Sequence, residues 1–219
     1  MPRTIAGRIG VTVIAIVAVV VGAVILLISR SDDDPDRALA DTSAPAVVRD
    51  DSHRLNSPPD AAVTFVEFLD FECEGCRAAY PVVEQLRADY GDRVEFVLRY
   101  FPLPGHVNGE RAARAVEAAA QQGRLEAMYR MMYETQAQWG ERRTPADDVF
   151  RGFAAELGLD MVAFDAAYAD PATAERIQVD VNDGMALGVQ GTPTFFVDGE
   201  QVSPRSVDDL RTAIEDGLR

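Results

Sequence analysis

The sequence predicts an α/β domain, with a helical block between two strand-bearing halves and one transmembrane helix at its N-terminus. Three observations carry this. Strand, helix and strand signals follow one another from Ala62 to Phe101, helical periodicity then fills residues 108 to 187, and short strands and a last helix close the chain. Ahead of them stands an uncharged run from Ile9 to Ile28. The chain has 219 residues, enough for one domain with one core once an N-terminal segment and a tether are set aside.

Ile9–Ile28 reads IGVTVIAIVAVVVGAVILLI. As a helix it would be roughly 30 Å long, the thickness of a bilayer's hydrocarbon core. It is longer than the apolar stretch of a signal peptide, about 7–15 residues, and the A-x-A pattern at Ala38-Leu39-Ala40 stands well beyond its end. The expectation is an uncleaved anchor over residues 1–30. Arg3 and Arg8 precede the run and Arg30 and Arg37 follow it, so the positive-inside rule votes only weakly. The order of short basic tail, apolar run and large domain favours a body outside the cytoplasm. Residues 31–60, with Asp32-Asp33-Asp34-Pro35 near one end and Pro58-Pro59 at the other, read as a disordered acidic, Pro-rich linker. His53 within it is expected to be solvated.

The folded domain is expected over residues 61–219. Ala62–Asp70 is rich in Val, Phe and Thr and predicts a strand. A helix follows from Cys76 to Tyr90, with Tyr80, Val83, Leu86 and Tyr90 on one side, and Arg93–Phe101 predicts a second strand. The insert, about residues 105–190, divides into helices at Gly109–Gln121, Arg124–Gln138, Pro145–Leu157, Met161–Tyr168 and Pro171–Leu187. Pro145 and Pro171 are placed as first helical residues, and Met128, Met131 and Met132 read as core filling. Thr194–Val197 and Gln201-Val202 flank an Asp198-Gly199 hairpin turn. The last helix, Ser206–Leu218, has Ser206 and Asp209 placed as a cap and an apolar stripe of Val207, Leu210, Ile214 and Leu218.

The two cysteines, Cys73 and Cys76, are spaced C-x-x-C where a strand ends and a helix begins. A thiol there meets free backbone N–H groups and the positive end of the helix dipole, which favour the thiolate. Cys76, one turn on, is placed to attack a mixed disulfide on Cys73. A zinc site would need four ligands and would have to recruit both His53 and His106. A static disulfide would close too short a loop to stabilise much. Redox chemistry is the expected use of the pair, with no metal and no organic cofactor.

The phrases FVEFLDFECEGC, RYFPLPGH and VQGTPTFFVDG, with a helical insert between the last two, resemble the DsbA-type thioredoxin family over about Ala61 to Leu218. The resemblance implies a thioredoxin fold with a large helical insertion between its βαβ and ββα halves. It implies that Pro193 is cis, lies beside Cys73, and offers the Thr192 backbone to an extended substrate. It also implies that Glu67 is the buried acid that moves the proton of the resolving thiol. Alternation along the strand leaves open which face Glu67 shares. Glu74 and Gly75 depart from the usual dipeptide between the cysteines. A Glu74 carboxylate about 6 Å from the Cys73 sulfur would oppose the thiolate by roughly half to two pKa units, so a milder oxidant is expected. His106 is expected to orient the loop into the insert.

What the resemblance implies for function is dithiol–disulfide exchange with thiol-containing exported proteins, in the oxidising direction, with a membrane redox partner to reoxidise the enzyme. A reductase or isomerase on the same fold, and a tethered chaperone module with incidental thiols, are the alternatives. Net charge is −15, every basic residue is Arg, and the first thirty residues hold three Arg and no acid. The remainder therefore carries 18 Arg against 36 Asp and Glu, a surface that repels phosphate backbones and argues against nucleic acid as a partner.

Overall fold

The computed structural model describes residues 44–219; Ile9–Ile28 and the first part of the tether lie outside them. Among the described residues no helix is long and apolar enough to cross a membrane. The elements run β1 (His53–Asn56), β2 (Val63–Leu69), α1 (Glu74–Tyr90), β3 (Val94–Tyr100), α2 (Gly109–Ala120), α3 (Leu125–Trp139), α4 (Asp147–Glu156), α5 (Met161–Ala169), α6 (Pro171–Ala186), β4 (Thr194–Val197), β5 (Glu200–Val202) and α7 (Val207–Gly217). The sheet order is β1-β3-β2-β4-β5, with β2 and β3 parallel and the other pairs antiparallel.

Register decides where chemistry can happen. Leu69 pairs with Tyr100, and Phe68 with Thr194. The ends of β2 and β3 and the start of β4 therefore share one edge, which carries the loops holding Cys73, His106 and Pro193. Strand alternation puts Phe65, Glu67 and Leu69 on one face of β2 and Val66 and Phe68 on the other. Phe65 packs with Val83 and Leu86 of α1, and Leu69 with Cys76 and the insert helices. Val66 and Phe68 pack with Val97, Phe101, Phe196 and Val189 on the opposite face. The face left open by the sequence is thereby settled: Glu67 points under α1. In the insert, Met128 and Met132 are fully buried and Met131 partly so, as core filling requires.

Local signals hold at most boundaries. Asp170 caps α6 with Pro171 in its first turn, Ser206 and Asp209 form a capping box on α7, and Asp198 and Gly199 both take positive φ in the β4–β5 turn. Pro145 is not the first helical residue of α4; the helix starts at Asp147, with Ala146 as its cap. Leu210 and Ile214 of α7 are buried, but Val207 is exposed, because the stripe reaches the sheet only past the first turn.

The larger correction concerns the linker. Residues 53–56 form an edge strand on β3, and His53 is half-buried, with Nε2 2.6 Å from Glu117 Oε2 and its ring edge-on to Tyr100. The Asn56 side chain donates to the Gly91 and Val94 carbonyls and accepts from Phe96 N–H across a break in the ladder. Upstream, fully buried Arg99 of β3 donates to Asp180 (2.7 Å) and Asp183 (2.5 Å) of α6 and to the carbonyls of Ala46 and Val47. Arg49 reaches the same Asp183 at 2.5 Å. Residues 46–56 are thus bonded onto the domain through groups whose partners lie far away in sequence, and no local periodicity announces them.

Removing one member of a buried ion pair leaves the other charge uncompensated, at a cost of about 3–5 kcal/mol. Arg99→Met is expected to lower the unfolding free energy by about that amount, read as a fall in the urea midpoint at unchanged slope.

Candidate active site

Cys73 is the N-cap of α1, with an extended backbone and no side-chain cap of its own. Its carbonyl accepts Arg77 N–H (3.1 Å), which starts the helix. The sulfur therefore lies at the helix end where donors are free. Cys73 is buried apart from a narrow exposure, and Cys76 is fully buried; both are free thiols. The Thr192–Pro193 bond is cis, as the resemblance implied. In its protonated form the Cys73 thiol donates to the Thr192 carbonyl at 3.3 Å. Gly75 is closely approached at this point: a Cβ there would meet Pro193 Cδ at 3.2 Å, a tight contact, and Cys73 Sγ at 3.5 Å, an ordinary one. The sequence-expected residues Cys73, Cys76, Gly75, Thr192 and Pro193 are brought together.

The electrostatics divide the two sulfurs. The Cys76 thiol donates to Cys73, and this outweighs the opposing effect of burial. Thr192 and the backbone N–H groups of Cys76 and Gly75 add to it, and the Cys73 pKa falls to about 5. Cys76 moves the other way: burial, its bond to Cys73 and the charge of Glu67 push its pKa well up. Glu67 is 4% exposed and one carboxylate oxygen has no hydrogen-bond partner in the protein. Burial first, then the charges of Cys73 and Glu84, raise its pKa to about 8. Glu67 is therefore a neutral acid at pH 7, close enough to both sulfurs for its charge to matter. Glu74 is exposed in the first turn of α1, where solvent weakens its action on Cys73.

Three further residues brace the loop before Cys73. Buried Asp70 accepts from the backbone N–H of Leu103 and Glu72, both at 2.8 Å, and lies 2.6 Å from His106 Nδ1. Burial lowers the His106 pKa, but the hydrogen bond and charge of Asp70 more than offset it, so the net shift is upward. Buried Glu72 accepts Asn108 N–H at 2.5 Å. Buried Gln136 of α3 donates to the carbonyls of Phe71 (2.7 Å) and Cys73 (2.9 Å). His106 orients the loop as expected. Asp70 and Glu72 are missed by the sequence reading, their one signal being acids close before the cysteine pair; Gln136, 63 residues from Cys73, carries no sequence signal. The described residues contain no cluster of metal-binding side chains.

The lowered pKa of Cys73 gives its sulfur the character of a leaving group, and the raised pKa of Cys76 makes that sulfur a poor one.

A family model described as Thioredoxin matches residues 56–216. The crystal structure of a thioredoxin-like oxidoreductase from Silicibacter pomeroyi DSS-3 is 28% identical with a TM-score of 0.65, covering 78% of this chain and 94% of that one. Oxidised BdbD from Bacillus subtilis has a TM-score of 0.66 at 21% identity, covering 76% and 92%. The crystal structure of alpha-DsbA1 from Wolbachia pipientis has a TM-score of 0.66 at 18% identity, covering 78% and 92%. A protein named Na(+)/H(+) antiporter NhaA from Herminiimonas arsenicoxydans is 39% identical over 158 residues, which is 72% of this chain but 24% of that protein. One named Na(+)/H(+) antiporter NhaA 3, from Salinispora tropica, is 37% identical over 166 residues, again 24% of its length. The chain thus spans about a quarter of these relatives.

Raising an acid's pKa on folding adds stability below its unfolded value and loses it as pH climbs toward its folded one. For Glu67 that window runs from 4.5 to about 8. Glu67→Gln is expected to stabilise the reduced protein by about 3 kcal/mol at pH 7 and by nothing near pH 4, read from urea unfolding at the two pH values.

Proposed function

The chain belongs to the thioredoxin family, with a DsbA-like fold, and from that premise we propose that it is a protein thiol–disulfide oxidoreductase working through Cys73 and Cys76. The observation that carries this reading is a sulfur at the start of α1 whose pKa falls to about 5, facing the Thr192–Pro193 loop.

In the proposed forward reaction the enzyme begins with a Cys73–Cys76 disulfide. A substrate thiolate attacks Cys73 Sγ, forming a mixed disulfide and breaking the intramolecular bond. Cys76 leaves with the bonding electron pair and takes the proton held by Glu67, which then regains a proton from solvent. The substrate's second thiolate then attacks the substrate sulfur of the mixed disulfide, and Cys73 leaves as a stabilised thiolate. The substrate has lost two electrons and the enzyme holds them as a dithiol. In the reverse sense, ionised Glu67 takes the Cys76 proton so that Cys76 can resolve a mixed disulfide.

The same feature supports the oxidising direction. A thiolate stabilised in the reduced protein makes that form the more favourable one, so the disulfide form accepts electrons readily. Glu74 acts against this through solvent and makes the protein a milder oxidant than it would be without that charge. The proposed substrates are exported proteins with free thiols, offered as an extended segment to the Thr192–Pro193 loop. The proposed setting is the outer side of a membrane, with Ile9–Ile28 as the anchor and a membrane redox partner to restore the disulfide. Acidity of the body supports a partner other than nucleic acid.

The test uses the purified protein against glutathione and a reduced dithiol peptide. Cys73→Ser is expected to abolish exchange, Cys76→Ser to accumulate a mixed disulfide at Cys73, and Glu74→Gln to shift the glutathione equilibrium toward the reduced enzyme. Exchange surviving in Cys73→Ser contradicts the reading, and an unmoved equilibrium in Glu74→Gln contradicts the tuning role of that carboxylate.

A further inference from the structure

One side chain of the insert hydrogen-bonds two carbonyls of the redox loop. Gln136 is 2% exposed and lies on the inner side of α3, on the face that also presents Tyr129, Met132 and Tyr133. Its one amide nitrogen bonds two carbonyls, Phe71 O at 2.7 Å and Cys73 O at 2.9 Å. A primary amide has two N–H donors on one planar group, so a single side chain can hold both. The helix that carries it is itself pinned over the site. Tyr133 stacks on Tyr80 of α1 with ring centroids 5.2 Å apart, Tyr129 meets Tyr80 edge-on at 5.5 Å, and Phe71 lies 5.2 Å from Tyr133.

We infer that Gln136 is a positioning residue of the redox centre, by which the helical insert sets the backbone at Cys73 and so the donors available to its sulfur. The inference rests on the redox reading above and deepens it. A trans peptide holds its C=O and N–H in opposite directions within one plane. Fixing the Cys73 carbonyl toward α3 and Arg77 therefore fixes the N–H of Glu74 outward, toward the open end of the helix. Holding the Phe71 carbonyl as well pins the chain on both sides of Glu72. The Cys73 carbonyl keeps Arg77 N–H as a second partner, whereas Phe71 O has Gln136 as its side-chain donor in the buried loop. Losing Gln136 thus removes the side-chain hold on these two carbonyls while leaving the first bond of α1 in place. The acids that brace the other side of the loop, Asp70 and Glu72, bond to the 103–108 segment and do not reach these carbonyls. The insert therefore does more than cover the site: it supplies part of its geometry.

The test compares full-length wild type with Gln136→Met, similar in length but without donors, and with Gln138→Met, an exposed position on the same helix. Thiolate absorbance at about 240 nm, followed against pH, reads the Cys73 pKa. Exchange with glutathione reads the equilibrium, and melting of both redox forms reads stability. Gln136→Met is expected to raise the Cys73 pKa by about half a unit to one unit, the size a lost neutral hydrogen bond carries, and to shift the glutathione equilibrium toward the disulfide form. Gln138→Met should match wild type. If Gln136→Met melts lower in both redox forms by the same amount while pKa and equilibrium stay put, Gln136 only fills the core and the inference fails. Should that variant not fold, the side-chain amide resonances of wild-type Gln136 decide. They are expected to be protected from exchange and to shift as Cys73 titrates; rapid exchange with no such shift overturns the inference. A wild type with no thiolate titration below neutral pH and no glutathione exchange would instead sink the redox reading itself.

Discussion

The chemistry of the active edge depends on where the Cys73 sulfur sits relative to the free donors at the start of α1. At that point Cys76 and Gly75 present N–H groups and the Cys76 thiol adds a donor of its own. These outweigh burial, which by itself would keep the sulfur protonated. Gly75 lies in the same close quarters, where a Cβ would come within 3.2 Å of Pro193 Cδ. The thiolate also has an effect below itself. It adds to the burial that keeps Glu67 protonated, while burial first and the bond to Cys73 next keep Cys76 protonated. One charge near the surface is accompanied by two neutral groups beneath it, an arrangement suited to moving a proton whenever the disulfide opens.

The rest of the domain serves to hold that arrangement still. The parallel pair β2 and β3 and the start of β4 converge on one edge because their register leaves no slack. Three loops leave that edge, and two of them, those holding Cys73 and His106, are tied together by buried carboxylates, Asp70 and Glu72, whose partners include backbone N–H groups of the 103–108 segment. Such bonds are charge-assisted and stronger than neutral ones. On the opposite face, Arg99 with Asp180 and Asp183 joins β3, α6 and the incoming chain. Buried ion pairs of this kind are weak evidence for stability but strong against misplacement, because each lost partner strands a charge.

Much of this is legible in the residues themselves, and the divide between what is and is not is physical. Cys73 and Cys76 announce themselves because their local context is enough, a strand end and a helix start, whereas Pro193 is singled out only by the resemblance of VQGTPTFFVDG to the family. The insert helices follow from periodicity and from glycines at their ends, and the α7 cap from Ser206 and Asp209. Glu67 stands out as an acid in an apolar strand, but only the packing of Phe65 against α1 fixes its face. The strand at His53–Asn56 escapes a reading of the sequence because HRLN has no apolar alternation, and its bonding is made by Asn56 and by edge pairing to β3. Residues 46–51 escape it for a like reason, since their partners are on β3 and α6. Gln136 cannot be read at all, because a neutral amide in a helix looks like a solvated residue until the fold brings it to Phe71.

The central claim is that one sulfur is a thiolate at ordinary pH and its neighbour is not. The most direct measurement is the rate of alkylation of the reduced wild-type protein as a function of pH, with the modified cysteine identified by mass spectrometry. The account predicts that Cys73 reacts with a midpoint near pH 5 and that Cys76 stays unmodified until strongly alkaline pH. A Cys73 midpoint near the ordinary thiol value of about 8.5, or equal labelling of both cysteines, would contradict it.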